Sequence, residues 1–437
     1  MTIDDPWHSR PFDVHVWSEH REVMALTELI FNSLTVEEQN FIKGNSNNRG
    51  KSDLYKHLRH VLVDQFVSYK LDPTLCTGVL RGFKHWKVGS RYNACNLSHR
   101  IIDVIDILTA NGWLDYTGGK NHRDGSGRNR SSRIKPTVKL EKGFDKLSVK
   151  LEDVSFHKNE EVIILNDKDE PDDPKAKPQE YEDTPEIIRM REEVQAYNSM
   201  MLEHSIEVAS LQNPYIDREV KDKRGRITTQ RFWLTKDKRF TRRTFTRGSF
   251  KLNGRWNGGW WQNVPKRLRQ DIIIDGEPTI EYDYSALHPT ILAYQSGNHF
   301  SSDPYTIKKQ ILPEQRAVMK GLLLKVINAK TIDSGIRAFQ TETEGYKKKQ
   351  LLELLEAYLD QYPFMTNFLG SDKGIELMYI DSQIATETIN YFVQQNKPIL
   401  PIHDSFIVKE LDQDYLLASM PKAIERVVGD WIPFAIG

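Results

Sequence analysis

Apolar residues between Ser52 and Tyr69 fall at Leu54, Leu58, Val61, Leu62 and Phe66, a stepping that predicts an amphipathic helix. A second helix is predicted where Asn96 or Ser98 caps a run containing Ile101, Ile102, Ile105 and Leu108, with Asn111-Gly112 as its stop. Trp113 to Tyr116 then reads as a strand, Gly118 to Ser132 as a glycine-rich basic stretch, and Arg133 to Leu140 as a returning strand. Met190, Val194, Tyr197, Met201, Val208 and Leu211 step by three, four and seven, which predicts one long helix over 186–211 that Asn213-Pro214 ends. Further along, the alternating run from Thr279 delivers Asp283 at its end and turns into a helix near His288-Pro289. Ile399 to Val408 predicts a strand, a His403-Asp404 turn and a strand back. Between these, Pro313 opens a helix whose buried face is Leu322, Leu323, Val326 and Ile327.

Helix, strand, basic hairpin, strand is the order of a winged helix, in which the second helix enters a major groove and the hairpin lies along phosphates. Lys120, Arg123, Arg128, Arg130, Arg133 and Lys135 would be the wing charges. Residues 166–186 hold nine acids, three lysines and four prolines, too little apolar surface to order themselves, and read as a linker. The division expected is a helical, winged-helix-like nucleic-acid-binding domain over 1–165, an acidic disordered linker over 166–186, and a catalytic module over 187–437. The 437 residues allow two to three domains at the usual size of about 150 residues each. No internal repeat is evident, which argues against a solenoid or propeller.

Lys and Arg total 61, as do Asp and Glu, yet the charges are unevenly placed. From Arg218 to Arg269 there are seventeen Lys or Arg and three Asp or Glu, interleaved with Phe232, Trp233, Phe240, Phe245, Phe250, Trp256, Trp260 and Trp261. Such a stretch suits a phosphate backbone and stacked bases; it equally suits a solvated antiparallel sheet whose aromatics pack inward. No window approaches the roughly 18 apolar residues of a membrane span, and MTIDDPWHSR has no apolar core behind a basic head. Secretion and membrane insertion are not expected, and a cytoplasmic location is. Cys76 and Cys95 are too few for a disulfide framework and lack the pairs of a zinc site, so they read as reduced thiols.

The candidate chemistry lies after residue 250. Asp283 and Asp404, each borne by a strand, are what a two-metal phosphoryl-transfer site needs, with ions roughly 3.5–4 Å apart. Singly, either aspartate could be a strand-end cap or turn former. Arg316, Lys320, Leu324 and Asn328 are spaced by fours along one helix face and could grip a triphosphate at one end and a nucleoside at the other, or form a solvated stripe.

Together these segments resemble the polymerase module shared by family A DNA polymerases and the phage-type single-subunit RNA polymerases, over residues of about 245–410. Asp283-Tyr-Ser is similar to the first metal motif of the DNA polymerases, Arg316-xxx-Lys320 to the nucleotide-binding finger helix of both groups, and Ile402-His403-Asp404-Ser405-Phe406 to the second metal motif in its RNA polymerase form. Gly254-Arg255 and Gln262-Asn263-Val264-Pro265 resemble template-contacting elements, and Ser382-Gln383 resembles the segment that contacts the minor groove near the primer end. The resemblance implies an α+β fold: an antiparallel palm sheet, small helical fingers and a helical thumb, appended to the winged-helix-like domain. It implies two Mg2+ ions, with Mn2+ able to stand in, on Asp283, Asp404 and the Tyr284 backbone carbonyl. Nucleoside triphosphates would meet Arg316, Lys320, Leu324, Asn328 and His288, with catalysis resting on Asp283, Asp404, Arg316 and Lys320. A primed or duplex DNA template would meet Arg255, Gln262, Asn263, Gln383 and His403.

The chain departs from the pattern in two places. Asn328-Ala329 stands where the finger helix usually has Tyr-Gly, and His288 stands where DNA polymerases keep a Glu that excludes a 2′-hydroxyl. No exonuclease-like acidic cluster is present in 1–165. Three functions are therefore carried forward: a small DNA polymerase acting on primed or self-initiated templates, an RNA polymerase or primase, and a non-catalytic replication initiator.

Overall fold

The computed structural model describes residues 8–44, 54–119, 130–168, 176–221, 227–429 and 435–436. The chain separates into two compact units, one of Met1–Glu161 with Thr235–Phe240, the other of Val162–Leu234 with Thr241–Gly437.

In the first unit, the predicted helices form as Leu54–Leu71 and Ile101–Ala110. Leu58, Val61 and Phe66 of the one and Ile101, Ile105 and Leu108 of the other enter a common core. Gly112, at φ 68°, supplies the left-handed step that ends the second helix and releases Leu114–Thr117 as a strand. That strand pairs antiparallel with Ser132–Pro136, which in turn pairs with Cys76–Val79, and Ser9–Pro11 completes the four-stranded sheet. The returning strand is shorter than the pattern predicts. Pro136 has no amide to donate, Thr137 adopts an extended cap conformation, and Val138–Asp145 is a helix that buries Leu140 and Phe144 one turn apart. Arg133 is a further correction: it lies buried in the strand opposite Gly78 and Thr117, so it is not a free wing charge. Arg130 remains partly exposed, whereas Lys120, Arg123 and Arg128 lie outside the described residues. Cys76 and Cys95 are free and buried.

The segment expected as a linker is built into the second unit where it is described. Asn166 bridges Pro178, Gln179 N donates to Leu165 O at 2.7 Å, and the Tyr181 hydroxyl donates to Ile163 O at 2.8 Å. Thr184 then caps the helix Pro185–Leu202 by accepting from Ile187 N, with proline in its first turn. This helix is shorter than predicted: Val208 belongs to the strand Ile206–Val208, whose β-branched residues pair with Ile272–Ile274. The heptad-like spacing of Val208 and Leu211 continues past the helix by coincidence.

The main sheet of this unit runs Leu400–Ile402, Ser405–Lys409, Glu277–Ser285, Ile272–Ile274, Ile206–Val208, with Ala435–Ile436 pairing on Tyr284 and Ser285. All its pairings are antiparallel. A second sheet joins Ser249–Asn257, Arg242–Thr246 and Ile163–Leu165, and a hairpin pairs Tyr215–Lys221 with Ile227–Trp233. Half of the aromatics of the basic stretch take the inward course: Phe245, Trp256, Trp260 and Trp261 are buried, and the Trp256 indole donates to Thr386 at 2.9 Å, while Phe232, Trp233, Phe240 and Phe250 are half-buried. The four buried rings offer no face for a base to stack on. Helices Leu287–Gln295, Gln315–Asn328, Ile332–Glu342, Lys348–Gln361, Gly374–Gln394 and Gln413–Val428 complete the unit. Among the described residues no helix is long and apolar enough to cross a membrane.

Candidate active site

Asp283 sits near the end of the central strand, opposite Ser405 in the ladder. Asp404 lies one residue earlier, in a two-residue turn closed by the Ile402–Ser405 pair, where His403 takes the left-handed conformation at φ 60°. Asp404 O accepts from Tyr284 N at 3.2 Å, which ties the turn to the central strand and brings both aspartates to one end of the sheet. Asp283 and Asp404 are exposed there, while the Tyr284 ring is buried and its hydroxyl donates to Met420 O at 2.9 Å. Glu281, one pleat back, accepts from Ser405 Oγ at 2.8 Å and pairs with Arg269 at 2.9 Å. Ser405 is thus occupied within the sheet.

After Ser285 the chain turns through Ala286 at φ 56° and enters the helix Leu287–Gln295, which places His288 in the first turn. His288 does not stand open. Its Nε2 lies 3.1 Å from Oδ2 of Asp381, a carboxylate with 1% side-chain exposure on the helix Gly374–Gln394. Arg255 binds the same oxygen, through Nε at 3.1 Å and also through Nη2. A β-bulge aims Arg255: Thr244 pairs with Arg255 and Phe245 with Asn253, leaving Gly254 as the extra residue. Gly254 holds φ 79°, and a Cβ there would stand 2.7 Å from the Phe245 ring and 2.9 Å from Ser382 Oγ, so only glycine fits. Burial would raise the Asp381 carboxyl, but the Arg255 guanidinium and His288 outweigh that and hold it below the usual carboxylate range. Asp404 moves the other way, raised first by crowding from the surrounding protein and then by the Asp381 charge, although its residue surface is exposed. Asp381 is the residue the sequence reading misses. Its one signal is its place directly before Ser382-Gln383, as an acid on an otherwise buried helix face.

Arg316 and Lys320 project from the helix Gln315–Asn328, one turn apart and exposed. Both face the buried Tyr305 ring, at 6.0 and 5.9 Å from its centroid, and Arg316 also pairs with Asp303. Burial raises the Tyr305 hydroxyl above its ordinary value, the Asp303 and Asp404 charges add to that, and Arg316 opposes it. Leu324 continues the row half-buried, and Asn328 at its end lies against Gly374, where an added Cβ would collide with its side chain. Gln262 is spent inside the fold, donating to Trp256 O at 2.8 Å and Pro401 O at 3.0 Å, while Asn263 and His403 are exposed. The Gln383 amide nitrogen is buried and has no hydrogen-bond partner among the described residues. Among the described residues, no three His, Cys, Asp or Glu are grouped to hold a metal ion by themselves.

No family model and no curated protein matches the chain. Solved structures that match include the POL domain of Pol1 from M. smegmatis in complex with DNA primer-template and dNTP, at 14% identity and a TM-score of 0.33. That alignment covers 57% of this chain and 51% of the other, so the chain spans about half the length of the structure it is similar to.

Proposed function

We propose that the chain is a template-directed nucleotidyltransferase, a small DNA polymerase in its leading form. The observation that carries this reading is the pairing of Asp283 with Ser405, which sets Asp283 and Asp404 together at one sheet end; Arg316 and Lys320 supply a cationic pair at the Tyr305 ring. Two carboxylates fit magnesium, a hard cation usually held by one or two carboxylates together with waters and substrate phosphates rather than by an all-protein cage. When bound, the metal ions would activate the attacking hydroxyl and stabilise the pyrophosphate leaving group. Asp283, Asp404 and the Tyr284 carbonyl would hold them, and Mn2+ could replace Mg2+.

The protein's own groups then have defined tasks. Arg316 and Lys320 bind triphosphate oxygens by charge-assisted hydrogen bonds, with Leu324 beside the nucleoside. Arg255, for the template, and His288, for the incoming nucleotide, are already oriented by Asp381. Arg130 and the exposed cations among the described residues of 218–269 supply nucleic-acid phosphate contacts, and the first unit acts as a winged-helix-like DNA-binding domain. An RNA polymerase or primase shares every one of these groups, and a replication initiator shares the basic surfaces alone.

The deciding experiment offers a primed DNA template with dNTPs or rNTPs, with and without Mg2+. Metal-dependent extension with dNTPs is expected; extension with rNTPs only selects the RNA polymerase reading. Template binding without any incorporation selects the initiator.

A further inference from the structure

The helix Ile101–Ala110, which a winged helix would lay into a major groove, carries no lysine or arginine. Its outward side holds Asp103 and Asp106, and the cations beside them are spent: Arg81 grips both Asp106 oxygens at 2.9 and 2.6 Å, while Arg100 pairs with Asp103 at 3.5 Å and lies over the Phe41 ring. Such a face meets the phosphates that line a groove with like charge. The loop before the helix is built differently. Trp86 is buried and its indole donates to Leu80 O at 2.8 Å, and Asn93 donates to Lys87 O at 2.7 Å, so Leu80–Val88 is held at both ends. On that frame Phe83 stands 77% exposed, its ring 5.4 Å from that of His99, and Leu80, Val88 and Tyr116 are exposed as well. Arg81 joins these groups into one patch, its guanidinium over the Tyr116 ring and its carbonyl accepting from His99. Lys84 and Lys87, in the same loop, are exposed and have no ion pair among the described residues. An apolar protein surface laid on this patch would strip water from both lysines and leave them unpaired, whereas unpaired bases on a phosphate chain match the ring and the charges together.

We infer that the first unit binds single-stranded nucleic acid through Leu80–Val88, with a base stacked on Phe83 and phosphates at Lys84 and Lys87. A base inside a duplex has both faces covered by its neighbours and cannot take this place. The inference rests on the reading of the first unit as a nucleic-acid-binding domain and changes the element that does the binding; it is independent of the chemistry proposed for Asp283 and Asp404.

Ultraviolet cross-linking of the full-length protein to an oligothymidine of about ten nucleotides carrying 4-thiothymidine, with peptide mapping by mass spectrometry, tests this. A cross-link within residues 80–88 is expected from the single strand and none there from its duplex with oligoadenosine; a matching oligouridine carrying 4-thiouridine separates RNA from DNA. Phe83→Ala should raise the oligonucleotide concentration that half-saturates this cross-link about tenfold, or abolish it, without lowering Tm, and Phe83→Trp should stay within about threefold of the parent. Lys84→Gln and Lys87→Gln should each flatten its logarithmic salt dependence by about 0.7. Cross-links in the first unit that avoid residues 80–88, or a half-saturation that Phe83→Ala leaves unchanged, overturn the inference while leaving the first unit a nucleic-acid-binding domain. No cross-link anywhere in the first unit overturns both and leaves the patch to a protein partner.

Discussion

Asp283 and Asp404 lie 121 positions apart in sequence and one ladder step apart in the sheet, and the proposed chemistry depends on that convergence. Asp404→Asn removes a charge from an exposed turn and leaves its backbone bonds unchanged. It is expected to lower nucleotide incorporation by far more than about tenfold while template affinity stays near the parent's, as single-turnover extension and a binding titration would show. Asp275 makes a prediction about stability. It sits with Gly276 in the two-residue turn between Ile272–Ile274 and Glu277–Ser285, both residues at positive φ, and bonds Lys409, His204 and the Ser205 amide. Burial would raise its carboxyl, but these partners prevail and lower it from 3.8 to about 2. Because the folded value lies below the unfolded one, its stabilisation is present above about pH 4 and fades as pH falls toward 2. Asp275→Asn should flatten the acid limb of a plot of Tm against pH and lower Tm near neutrality.

At the level of elements, the helix Gln315–Asn328 carries Arg316 and Lys320 in its first half and packs Asn328, at its other end, against Gly374. Lys320→Ala is expected to raise the apparent KM for nucleotide several-fold or lower the rate, leaving template binding unchanged; constant steady-state parameters would return the helix end to a solvated stripe. Much of this helix and of the Asp283 and Asp404 hairpins is legible in sequence, because local periodicity and turn chemistry decide them. Leu322, Leu323, Val326 and Ile327 mark a buried face, and His403-Asp404 between two apolar runs marks a turn. What escapes the sequence is settled by distant partners. Nothing within Gly374–Gln394 announces that Asp381 will meet Arg255, 126 positions away, because one acid among Ser382, Thr386 and Thr388 breaks no pattern. Gln262 reads as a nucleic-acid contact until Pro401 O, 139 positions on, claims its amide. Val208 follows the helical spacing of Val194 and Met201, and only its pairing with Ile272 shows that it belongs to a strand.

On the scale of the whole molecule, cations expected to meet nucleic acid separate into exposed and buried ones. Arg130→Gln should reduce the slope of log affinity against log salt by about 0.9 if it neutralises one duplex phosphate, whereas Arg133→Gln, within the sheet, should lower Tm more than it changes that slope. Filter binding over a salt series and thermal unfolding separate the two. The division of the chain has a consequence of another kind, for how the protein is made. Thr235–Phe240 belongs to the first unit although the residues on either side of it belong to the second, and it is held there by the Lys238–Asp13 ion pair at 3.0 Å and by Phe240 stacked on Phe156 at 4.3 Å. A ribosome that has just delivered Glu161 must add 74 more residues before Thr235 emerges (235 minus 161), a wait of about 4 to 15 s at the usual pace of roughly 5–20 residues per second. Throughout that interval the nascent first unit has Asp13 without its lysine and Phe156 without its ring, and it reaches its finished form only after the Val162–Leu234 part of the second unit has been translated.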